Sequence, residues 1–231
     1  MVFDPSVIVE YLPSLLQGLG VTIMFTIASL MLGLVIGVLA AVLALSRLRV
    51  MHWIVRVYVD AIRGTPLLLQ LFILYYALPP LGLKMSATTA GILGLGINAG
   101  AYFAEIFRAG IEAVPPAHVQ AARSLGMSYR QTLFRIELPQ AVMLVLPPLA
   151  NEVISLVKST SLISTISIGE LLRSGQIAVS ITFAPLEIYA VVAMFYLAVN
   201  LSLSAIVRNL EARAGSRTRS EARRTLLEVG V

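Results

Sequence analysis

The sequence has no cysteine, so disulfides and thiol chemistry are excluded. It has two histidines, His52 and His118, with no ligand cluster beside either, which argues against a metal or haem site. Aspartate occurs only at Asp4 and Asp60, so a paired-aspartate catalytic centre is out of reach. Ser155 and Lys158, three residues apart, are the one pair that suggests an intramembrane dyad, and the reading here is that the chain is not an enzyme. No G-x-x-x-x-G-K-[ST] run occurs, so the chain cannot cradle nucleotide phosphates by itself, and any energy from ATP must enter through a partner. Charge is scarce as well: of 231 residues 13% are charged and 58% hydrophobic, and the mean hydropathy is +0.89. Those values lie outside the range of soluble domains and indicate an integral membrane protein.

What is abundant is apolar sequence. Five stretches, Gly18 to Leu45, Val55 to Leu78, Ala87 to Phe107, Pro139 to Leu156 and Ile188 to Val207, each approach the ~20 residues needed to cross the hydrocarbon core. The fourth is interrupted by Pro147, Pro148, Asn151 and Glu152, which predicts a broken helix. The first Lys or Arg is Arg47, so the N-terminus lacks the basic region of a cleaved signal, and the first stretch is expected to be retained. Asp4 followed by Pro5 reads as a helix start, with Pro5 to Leu16 a short interfacial helix.

The cations cluster. Residues 46–63 hold Arg47, Arg49, Arg56 and Arg63; residues 108–135 hold Arg108, Arg123, Arg130 and Arg135; the tail holds Arg208, Arg213, Arg217, Arg219, Arg223 and Arg224. The positive-inside rule places these regions in the cytoplasm, with the N-terminus outside and the C-terminus inside, so the number of spans is odd. This topology accounts for the pI near 9.8 without nucleic acid, and the tail is read as touching anionic headgroups.

Polar groups inside spans are costly and face a bundle interior or a watery path. Gln70, Asn98, Glu152 and Lys158, followed by Thr160 and Ser161, are the candidates for a substrate path. A zwitterionic solute needs a cation or amide donors for its carboxylate, which Lys158, Thr160 and Ser161 can supply, and an acceptor for its ammonium, which Glu152 or Asn98 can supply. Glu105 and Arg108 are spaced for an ion pair. Gly33-x3-Gly37 and Gly96-x3-Gly100 allow close helix approach, within one subunit or between two. Arg63, Gly64 and Pro66 mark a bend in the second span, and Ser167 with Glu170 form an S-x-x-E pair opening a short outer helix that contains Arg173.

A charged stretch, VQAARSLGMSYRQTLFRIELPQA, runs from Val119 to Ala141 between two apolar segments. Pro115 and Pro116 end one helix and start another, and Gly126 suits its stop, leaving roughly nine residues of helix, too few to hold alone in water. Ser128 and Gln131 form a capping box that opens a second helix toward Pro139. Gln120-Ala121-Ala122, Gly126 and Ile136-x-Leu138-Pro139 are similar at every fixed spacing to the motif E-A-A-x3-G-x9-I-x-L-P of binding-protein-dependent ABC transporter permeases, with Gln120 in place of the family's glutamate. RGTPLLLQLF (63–72), AYFAEIFRAGI (101–111), AVPPAHVQAARSLGMS (113–128) and LPPLANEVISLVKSTSL (146–162) resemble successive signatures of the polar amino acid subfamily, with Ser159 where that family commonly has Asp.

The resemblance implies an all-α polytopic protein of about five transmembrane helices with the type I ABC importer permease fold. It implies an outer or interfacial segment at 1–17, a permease domain at 18–207 carrying a cytoplasmic coupling loop at 112–138, and a basic tail at 208–231. Val119, Gln120, Ala121, Ala122, Leu125, Gly126 and Met127 would couple to a separate ATPase subunit, which binds ATP and Mg; the chain itself needs no cofactor. The further implied partners are a second permease subunit, identical or paralogous, a periplasmic binding protein and the lipid bilayer of a bacterial inner membrane. The implied cargo is a polar or basic amino acid, or a derivative such as an opine. The competing reading, a self-sufficient secondary transporter or channel for a small polar solute, is disfavoured by five spans without a paired repeat.

Overall fold

A computed structural model describes residues 5–44, 46 and 48–228, with side chains described through Asn209. Asp4 and Arg47, and the side chains of Arg213 to Arg224, lie outside the described residues, and with them the helix-start reading at Asp4 and the headgroup reading of the tail.

The described secondary structure is helical. α1 (Pro5–Ala44) runs for 40 residues, about 60 Å by the rise per residue, so the expected short interfacial helix is continuous with the first span. Pro13 sits inside it without ending it, since the proline ring holds a φ a helix accepts and only the partner of the Val9 carbonyl is lost. α2 (Arg49–Arg63) and α3 (Leu67–Phe72), which continues as a π turn (Ile73–Ala77), meet at a bend of 101°. The break falls at Gly64-Thr65-Pro66 because a residue before proline is pushed out of the helical region. α4 (Ala87–Glu112) follows a 3-10 turn at Pro79–Leu81. α5 (Pro116–Ser124), α6 (Tyr129–Thr132) and a π turn (Leu133–Glu137) lead into α7 (Leu138–Ser159), which tightens into a 3-10 helix (Thr160–Ile166). α8 (Leu171–Thr182) and α9 (Pro185–Glu228) complete the described residues.

Among the described residues four helices are long and apolar enough to cross a membrane, and the bent pair of α2 and α3 with its π turn makes a fifth if counted as one span. Two details differ from expectation. α7 passes through Pro147 and Pro148 unbroken; the prolines cost only the amide partners of the Met143 and Leu144 carbonyls. The cap of α8 is Glu170 alone: Ser167 lies at φ 68, ending the 3-10 helix before it, and the Glu170 carboxylate accepts from the amides of Leu172 and Arg173.

The described residues fall into two compact units, one from 5–105 and 152–200, the other from 106–151 and 201–228. In the first, the two glycine pairs face each other. A Cβ on Gly33 would lie 3.1 Å from Ala99 Cβ and 3.2 Å from the Gly96 carbonyl, and one on Gly37 would lie 2.6 Å from Phe103 Cβ. The small-residue motifs therefore bring α1 onto α4 within the chain. Leu15 on α1, Leu171 and Ala178 on α8, and Ile188, Val191 and Val192 on α9 form a second core. In the other unit, Gly110 leaves room for Val145, so the end of α4 meets α7.

Candidate functional site

Two regions hold the predicted residues. In the first, α5 starts with Pro116, whose missing amide hydrogen is one a helix start leaves unpaired anyway. It stops because Gly126 takes φ 81, letting the Gly126 amide donate to the Arg123 carbonyl (2.9 Å) and that of Met127 to Ala122 (3.2 Å). The Ser128 amide then donates to Gln131 Oε1 (2.8 Å) and the Gln131 amide to Ser128 Oγ (3.3 Å), closing the capping box and starting α6. Gln140 ties α7 back to α5: its Nε2 donates to the Ile136 carbonyl (2.9 Å), and its Oε1 meets His118 Nδ1 at 2.7 Å.

Burial divides the predicted coupling residues. Ala122 is buried at 4% exposure and packs the helix down, with Val119 and Met127 half-buried. Gln120, Ala121, Leu125 and Gly126 are exposed, and Leu125 (84%), Tyr129 and Phe134 present large apolar surface from a charged loop. Large apolar side chains left exposed in a polar stretch are candidates for cover by a protein partner.

The second region belongs to the first unit. The Asn98 amide donates to Gln70 Oε1 (3.1 Å), and Gln70 Nε2 donates to the Ile62 carbonyl (2.8 Å) and Thr65 Oγ1 (2.9 Å), so both amides sit at the bend between α2 and α3. The Arg63 guanidinium lies 5.2 Å from the Tyr102 ring centre and within electrostatic reach of Glu152. Lys158 and Ser161 line a different cavity of about 450 Å³, completed by Leu172, Tyr189 and Tyr196. The Ser161 hydroxyl donates to the Lys158 carbonyl (2.7 Å). Thr160 is fully buried and donates to the Val157 carbonyl (2.7 Å), so it does not stand beside Ser161 in that cavity. The six path candidates thus separate into an amide pair at the bend, a carboxylate facing Arg63, a lysine and serine in a tyrosine-lined cavity, and one buried threonine.

Tyr102, Tyr189 and Tyr196 were not anticipated. Tyr189 and Tyr196 are seven residues apart, two turns on one helix face, a spacing visible in the sequence. Glu170 is wholly buried, and Tyr196 Oη donates to it at 2.9 Å. Burial pushes its carboxyl up from the ordinary value, against the opposing pull of the Leu172 and Arg173 amides.

Residues 33–216 match the family described as binding-protein-dependent transport system inner membrane component. The chain is 38% identical to the glutamine transport system permease protein GlnP of Escherichia coli, over 92% of this chain and 98% of that one. It is 39% identical to the L-cystine transport system permease protein TcyB of Bacillus subtilis, over 88% of each. Among solved structures, a chain of an amino acid ABC transporter crystallised with histidines superposes with a TM-score of 0.88 at 36% identity, covering 92% of this chain and all of that one. A chain of the inward-facing methionine transporter MetNI, at 18% identity and a TM-score of 0.62, shares the fold.

Proposed function

The chain belongs to the family of binding-protein-dependent transport system inner membrane components, and we propose that it forms the translocation path for a polar or basic amino acid or a derivative such as an opine. It works as an ABC importer permease: a periplasmic binding protein delivers the solute, a second permease subunit, identical or paralogous, completes the pore, and a separate subunit hydrolyses ATP with Mg. The N-terminus lies outside and the C-terminus in the cytoplasm.

The observation that carries this reading is α5. It is a nine-residue helix, anchored by buried Ala122 and ended by Gly126, that holds Gln120, Ala121 and exposed Leu125 outward. Such a helix gains little by itself, and its outward residues suit the groove of an ATPase whose closure it would transmit. The names and substrates of the relatives support the cargo class, and the cavity lined by Lys158 supplies a cation for a carboxylate.

Affinity purification of the tagged chain, expressed with its neighbouring genes and analysed by mass spectrometry, tests the assembly. The expected result is co-elution of an ATPase and a permease, lost when Leu125 and Gly126 are replaced by bulky charged residues. Recovery of the chain alone, with solute flux in ATP-free liposomes, would overturn it and favour a self-sufficient transporter.

A further inference from the structure

α2 carries Arg49, His52, Arg56, Asp60 and Arg63 at spacings of three and four, so these residues share one stripe of the helix. A second face packs inward: Val55 and Val59 are buried with Ala40 and Ala104, and the Tyr58 hydroxyl donates to the Ile97 carbonyl at 2.7 Å. A third face holds Val50 (63% exposed), Ile54 (48%) and Val57 (46%), again spaced by three and four. Trp53, 64% exposed and the sole tryptophan of the chain, sits between the apolar face and the charged stripe.

A helix with this many ionisable groups in about 22 Å of length cannot lie buried in hydrocarbon, so of the bent pair counted as the fifth span only the apolar Leu67–Ala77 part is left within it. The 101° bend also separates its axis from that of the following helix. Three faces then need three surroundings: protein, apolar matter and polar matter. The boundary layer of a bilayer supplies the last two together, with acyl chains under the aliphatic face, an indole at the headgroup level and phosphates beside guanidinium groups. The sign of the stripe selects the headgroup. Arg56 and Asp60 approach to 4.0 Å with both side chains 74% exposed, a pairing water largely screens, and Arg49 lies a further two turns along the same exposed stripe. Arg63 is turned to Tyr102 and Glu152, and Arg49 and Arg56 against Asp60 leave the exposed stripe cationic.

We propose that α2 is a membrane-surface anchor that lies in the boundary of the leaflet facing the cationic loops, with Val50, Ile54 and Val57 on acyl chains and Arg49 and Arg56 on the phosphates of anionic phospholipids. That this leaflet is the cytoplasmic one rests on the orientation proposed above; the lipid contact itself does not.

Trp53 is the probe. The full chain, with its co-purifying subunits, is reconstituted into phosphatidylcholine vesicles with and without phosphatidylglycerol, using lipids brominated near the headgroup or near the chain end. A matched Trp53→Phe preparation is subtracted to remove other tryptophans. The expected result is quenching of Trp53 chiefly by the shallow bromines, increased by phosphatidylglycerol, with that increase lost in an Arg49→Gln, Arg56→Gln double variant that retains the phosphatidylcholine signal. Absence of lipid quenching overturns the proposal, whether iodide in water reaches Trp53 or a second protein surface shields it from both. Equal quenching with and without phosphatidylglycerol overturns the headgroup assignment. None of these readouts requires uptake or ATP hydrolysis, so failure here and failure of the transport reading are distinguishable.

Discussion

Glu170 shows how much one buried carboxylate can hold together. Its oxygens take the Leu172 and Arg173 amides that open α8 and the Tyr196 hydroxyl from α9, while Thr22 on α1 accepts the Leu171 amide beside it at 3.2 Å. Burial raises its pKa above the usual carboxylate range, so the fold favours the protonated acid, and the stability this contributes is present below the unfolded value and lost as pH rises through the folded one. Thermal unfolding of the detergent-solubilised chain should therefore move to lower temperature between mildly acidic and alkaline pH, and Glu170→Gln should flatten that slope. Gly37 makes a packing prediction at the same scale. A Cβ there meets Phe103 Cβ at 2.6 Å and the Gly100 carbonyl at 3.3 Å, so Gly37→Val should cost about 1–3 kcal/mol as overpacking, read as a lowered unfolding midpoint. For transport, Lys158→Met should reduce uptake while leaving unfolding unchanged, since the side chain is exposed in its cavity.

At the scale of elements, the segment from Pro115 to Gln131 was legible because its signals are local. Proline at a helix start, a glycine with positive φ at its end and a reciprocal cap each act within four residues. Gly126→Val should cost about 1–2 kcal/mol for a side chain in the left-handed region, and Ser128→Ala about 1 kcal/mol for the lost cap. Limited proteolysis of this loop should accelerate in both. The S-x-x-E pattern at Ser167 misled for a physical reason: the preceding 3-10 helix needs Ser167 in the left-handed conformation to end, and a residue so used cannot also cap the helix that follows. The expected break at Pro147 and Pro148 failed because proline removes hydrogen bonds without dictating that a packed helix must part.

At the scale of the whole molecule, the absence of cysteine makes topology directly measurable. Ser14→Cys on α1 and Ser124→Cys at the end of α5 are both exposed positions. In intact cells an impermeant maleimide should label the first and spare the second, which reacts only after the membrane is opened; the opposite pattern would invert the proposed orientation. Residence in a membrane, the clustering of cations and the short helix between Pro115 and Gly126 were determined by the sequence, because each depends on composition or on neighbours a few residues away. The tertiary structure decided what depends on distant partners. It set Gly33 and Gly37 against Gly96 and Gly100, fixed at 101° the bend that Gly64 and Pro66 had marked, joined Gln70 to Asn98, and put Lys158 beside Tyr196 while burying Thr160. A span can be recognised from its own hydropathy, but which of its faces meets another helix depends on the shapes of both.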